Sequence, residues 1–74
     1  MPHVNIKYFP VILSEAQKDE LVSEISNAVQ KALNCDPGVI SIALEPTQQD
    51  VWNEQVYIPE IEQKKDLLCK KPNY

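Results

Sequence analysis

Apolar and polar residues alternate over positions 2–9, PHVNIKYF. Val4, Ile6 and Tyr8 point one way; His3, Asn5, Lys7 and Phe9 point the other. This two-residue period predicts a short strand with one aliphatic face, and Pro10 closes it because it has no N–H for a ladder. The period then lengthens. Leu21, Val22, Ile25, Ala28, Val29, Ala32 and Leu33 recur three and four apart, with Lys18, Asp19, Glu20, Glu24 and Lys31 on the solvated side. That is the stripe of an amphipathic helix of about five turns. Ser14, with Gln17 three residues later, forms a capping box at its start, and Asn34 and Pro37 end it.

The run Val39-Ile40-Ser41-Ile42-Ala43-Leu44 is β-branched and apolar on both sides, which predicts a second strand that Pro46 stops. Thr47 to Asp50 repeats a capping-box-like pattern ahead of Val51, Trp52 and Val56. Pro59 is placed as the first residue of a further short helix carrying Ile61, Leu67 and Leu68, with Glu60 and Lys64 one turn apart. The ending, KKPNY, is polar.

Strand, helix and strand in this order define an α/β chain built on one βαβ unit, with parallel strands, a right-handed crossover and extra short C-terminal helices. Residues 1–74 are expected to form a single domain. A parallel sheet needs cover on both faces, and one helix covers one. The expectation is therefore a two-fold homodimer, two units pairing into a four-stranded sheet with the helices on one face.

Composition removes several classes of function. A net charge of −4 and a pI near 4.8 do not suit a phosphate track, so no nucleic-acid partner is expected. No apolar run approaches the ~20 residues of a membrane span, and no leader with a basic start and apolar core is seen. Cys35 and Cys69 have no metal or redox spacing, and read as reduced side chains of a cytoplasmic protein. His3 is the single histidine, so the usual ligands of a zinc or iron site are not available within one chain, and no cofactor is expected. All seven basic residues are lysines. Without arginine the chain has no planar guanidinium fork to clamp a carboxylate.

The sharpest chemical feature is Pro2, directly behind Met1. A small second residue permits removal of the methionine, which leaves Pro2 as a secondary amine at the head of an apolar strand. A chain-terminal amine has a pKa of about 7.7–8.0, and a dry pocket depresses it toward neutrality, where one group both takes and returns a proton. Lys7, on the same strand, would add like-charge repulsion if it faced that amine.

The opening PHVNIKYFP, the helix SEAQKDELVSEISNAVQKALN and the strand VISIALE together resemble the 4-oxalocrotonate tautomerase family, over essentially the whole chain. The resemblance implies paired βαβ units, a small-molecule substrate and the amino-terminal proline, here Pro2, as catalytic acid/base. Founding members orient substrate carboxylates with two arginines; the matching places here are Val11 or Ile12, and Ser41. The glycine-rich hairpin of the hexameric members is also absent, replaced by sequence around Trp52, which favours the dimeric subgroup.

A keto–enol tautomerase acting on a small or aromatic 2-keto acid enol is the reading that follows. The donor to the developing enolate is left open among the Ser41 hydroxyl, backbone N–H groups, the Trp52 indole and a lysine. Ser41 and Trp52 are the substrate-binding candidates, with Trp52 also a candidate pocket wall; Phe9 is expected in the core and His3 on the surface. Two alternatives stand beside it. One is hydration or dehalogenation of an unsaturated acid, with Asp50 or Glu54 activating water. The other is a catalytically silent dimeric binding module of the same fold.

Overall fold

A computed structural model describes residues 1–74. Strand β1 (His3–Tyr8) and strand β2 (Ser41–Pro46) pair in parallel, from His3 opposite Ser41 to Tyr8 opposite Pro46. Helix α1 (Glu15–Leu33) joins them. Its capping box forms: the Ser14 hydroxyl accepts from the Gln17 N–H at 3.1 Å, and the Gln17 side chain accepts from the Ser14 N–H at 2.9 Å. At the other end Asn34 takes the left-handed conformation, φ 52°, that lets the chain turn off the helix.

The register sorts the sheet into two unlike faces. Val4, Ile6, Ile42 and Leu44 share one; His3, Asn5, Lys7, Ser41, Ala43 and Glu45 share the other. Across the polar face His3 Nδ1 lies 2.6 Å from Ser41 Oγ, and Asn5 donates to Glu45 at 3.4 Å. Asn5 and Lys7 also line a cleft with Val56, Glu60, Ile61 and Leu68, so the C-terminal third lies over this face. The aliphatic face is left to α1, whose Leu21, Ile25 and Val29 are half-buried. The cover is partial, since His3, Asn5, Ser41 and Glu45 on that face stay exposed.

Three further expectations change. The second strand begins at Ser41 rather than Val39, because Asp36 caps a short 3₁₀ turn over Pro37–Val39 through a 2.8 Å bond to the Gly38 N–H. Pro46 is the last strand residue rather than a stop. Thr47 donates its N–H to Tyr8 at 2.8 Å, so the alternate position 46 points away from β1 and needs no donor. Thr47 starts no capping box either; its hydroxyl bonds back to the Glu45 carbonyl at 3.2 Å, and a 3₁₀ turn over Gln49–Val51 follows without a side-chain cap.

The largest correction concerns Pro59. It lies inside a ten-residue π-helix, Asn53–Glu62, instead of opening a helix. An α-helical turn drives the proline ring into the carbonyl four residues back, and the wider π turn relieves that contact. The Gln63 N–H reaches the Ile58 carbonyl, five residues back, at 2.9 Å. Trp52, Val56 and Ile61, four and five apart, turn inward together. Glu60 and Lys64 pair at 3.2 Å, in the expected place.

Burial is thin for a folded chain. Val56 and Thr47 are the two buried residues, and the accessible surface is 6000 Å². A compact chain of this mass exposes about 4,650 Å². The protomer is a slab of 35 × 32 × 19 Å with a radius of gyration of 13.9 Å, against about 11 Å for a compact chain of this length.

Candidate active site

The residues singled out by sequence fall at opposite ends of the sheet. At the N-terminal end, Pro2 is half-buried and its carbonyl accepts the Ser41 N–H at 3.2 Å, extending the ladder one step beyond His3. Met1, beyond it, is fully exposed. Beside this point stands the His3–Ser41 pair, in which either the hydroxyl or the imidazole N–H donates, according to the ring's tautomer. Pro2 and Ser41 are therefore neighbours, and His3 joins them.

At the C-terminal end β1 runs out into Phe9, the residue just ahead of the π-helix is Trp52, and the tail returns to deliver Tyr74. Phe9 and Trp52 meet edge to face, with centroids 4.9 Å apart and planes at 87°. The Trp52 indole N–H donates to the Tyr74 phenol oxygen at 3.3 Å, and Tyr57 flanks Tyr74 at 5.8 Å. Together with Lys7 and Tyr8, residues Phe9, Trp52 and Tyr74 line a concavity of about 470 Å³, the size of a small-molecule site. Phe9 is a half-open wall of it, 45% exposed, rather than core.

Within one protomer Trp52 does not meet Pro2. Pro2 and Tyr8 are six residue steps apart along the strand, or about 20 Å at ~3.3 Å a step. Lys7 belongs to the distant aromatic end as well, so it does not face the nitrogen of its own Pro2. Asp50 and Glu54 are exposed near Trp52's end, and nothing pairs them with Pro2. Val11 and Ile12, at the place of one missing arginine, stand out from the β1–α1 connection.

Sequence reasoning missed Tyr74, read as part of a polar tail, and the lining role of Tyr8. It also missed the His3–Ser41 bond, although laying the two strands in parallel register places those side chains opposite each other.

The parallel βαβ unit, His3–Pro46, is consistent with the fold of a tautomerase. The tautomerase enzyme family matches residues 2–57, and the chain belongs to that family, as an isomerase of the tautomerase type. Its full length is similar to several proteins called tautomerase PptA. The one from Enterobacter sp. (strain 638) is 42% identical over 74 residues, spanning all of this chain and 97% of the relative. Those of Shigella sonnei (strain Ss046) and Cronobacter sakazakii (strain ATCC BAA-894) are 40% and 36% identical over the same spans.

Proposed function

We propose that this chain is a cofactor-independent keto–enol tautomerase. Pro2, freed by removal of Met1, acts as general acid and base on the enol of a small or aromatic 2-keto acid. The observation that carries the reading is at the head of β1. The ladder fixes Pro2 up to its own carbonyl, while no packing holds Met1. Once Met1 is gone, a positioned secondary amine remains at the sheet's corner. Such an amine takes a proton from oxygen and returns it to carbon when it is free base and ammonium in comparable amounts near neutral pH.

The active unit is a homodimer, each chain contributing residues 1–74 as one domain. The protomer's surface exceeds that of a compact monomer by about 1,350 Å², so a pair would bury about 2,700 Å², within the obligate-dimer range. Both strands have open edges. On β1 the outward N–H groups belong to His3, Asn5 and Lys7, all intact, whereas the outward series on β2 includes Pro46, which has none. β1 is therefore the edge that joins. A two-fold axis normal to the sheet makes the joined strands antiparallel and keeps both helices on one face. Pro2 of each protomer is then brought beside the aromatic pocket of the other. Ser41 and Trp52 thus serve one site from two chains.

Both cysteines are free, which supports the reducing cytoplasm as the protein's location. No helix is long and apolar enough to cross a membrane.

Two measurements test the proposal. The intact mass of the protein from its host is expected to lack the methionine. Pro2→Ala is expected to abolish ketonisation of phenylenolpyruvate with the dimer retained. Equal rates for variant and parent would remove Pro2 from the mechanism.

A further inference from the structure

The aromatic pocket combines three kinds of recognition. Phe9 and Trp52 supply ring faces and edges, Lys7 supplies the one cation of the lining, and Tyr74 supplies a hydroxyl. The direction of the Trp52–Tyr74 bond is forced. An indole nitrogen donates and never accepts, so the phenol oxygen is the acceptor. The phenol's own proton is then available for another acceptor, and no protein group takes it. Donation from the indole also draws charge from the phenol oxygen, which strengthens the O–H as a donor.

Resting on the Pro2 mechanism and the pairing through β1, we infer that the Tyr74 hydroxyl, oriented by Trp52, donates the hydrogen bond to the enol oxygen of an aryl 2-keto acid. The carboxylate of that substrate pairs with Lys7, and its ring lies against Phe9 and Trp52. In ketonisation the enol O–H proton passes to the Pro2 nitrogen and its electron pair closes the carbonyl. The former C=C pair takes a proton from Pro2 at C3, and no proton is gained or lost overall. Negative charge builds on the oxygen between these events, and the Tyr74 donor faces that charge while keeping its own proton. The pocket so filled has a place for one carboxylate and one aromatic ring, and none for a second carboxylate.

The test uses the full-length dimer, with its fold checked by circular dichroism and its assembly by sedimentation. Tyr74→Phe keeps the ring and removes the donor. Its kcat on phenylenolpyruvate is expected to fall on the order of a hundredfold, with KM almost unchanged, because the bond matures only in the transition state. Trp52→Phe is expected to give a smaller loss, and the double variant to be no slower than Tyr74→Phe alone. Lys7→Met should raise KM for phenylenolpyruvate and leave KM for its methyl ester as in the parent. Parental kcat in Tyr74→Phe, with Pro2→Ala inactive, would overturn the Tyr74 assignment and leave the Pro2 reading standing. Full activity in Pro2→Ala would overturn both. Independent, additive losses in the double variant would remove the orienting role of the indole.

Discussion

Ile12 offers a direct test of the assembly. Its side chain is 98% exposed in the isolated protomer, next to Val11 at 62%, on the connection that leaves β1. If the proposed dimer covers this connection, replacing Ile12 by serine forfeits about 2 kcal/mol of apolar burial per protomer. A two-fold interface contains the residue twice, so the loss is about 4 kcal/mol, or about a thousandfold in the dimer Kd. An isoleucine that stayed in solvent would change stability by no more than ~0.5 kcal/mol per chain, about fivefold in Kd for the pair. Sedimentation equilibrium across a dilution series separates the two cases. If each site takes Pro2 from one chain and Trp52 from the other, as proposed, specific activity of Ile12→Ser should also fall on dilution, in step with dissociation. A parent chain that sediments as a monomer at micromolar concentration would refute the surface argument. A variant Kd within about fivefold of the parent's would exclude Ile12 from the interface.

Two predictions concern α1 and Asn34. Ser14→Ala removes the 3.1 Å bond to the Gln17 N–H; it is expected to cost about 1 kcal/mol and lower Tm by ~4–8 °C in a thermal melt. Asn34→Ala puts a less tolerant residue at φ 52° and should lose about 1 kcal/mol by urea titration, whereas Asn34→Gly should match the parent or exceed it slightly.

The elements that sequence made legible are those with local causes. β1 follows from alternation and α1 from its stripe and caps, all contained within a few residues of one another. The neighbourhood of Pro2 and Ser41 follows as well, because a right-handed crossover returns β2 beside β1 in parallel. The π-helix was hidden because Pro59 after an apolar run reads as a helix start. The four- and five-residue spacing of Trp52, Val56 and Ile61 carried the wider period all along. The aromatic pocket was hidden for a different reason. Phe9 meets Trp52 and Trp52 meets Tyr74 across 43 and 22 positions, and no period connects residues that far apart. The dimer expectation began from the sheet's second face, of which the C-terminal third borders the part around Asn5 and Lys7. What argues for a pair is surplus surface and open strand edges.

Trp52 is the chain's sole tryptophan, and it stands in the wall of the pocket with its nitrogen bonded to Tyr74. Its emission therefore reports from one location with no background from any other indole. Ligand entry, a change in the Tyr74 bond or separation of the proposed dimer would each alter the intensity or colour of that light. Occupancy of the cavity is thus readable optically in the unlabelled protein, before any product is formed.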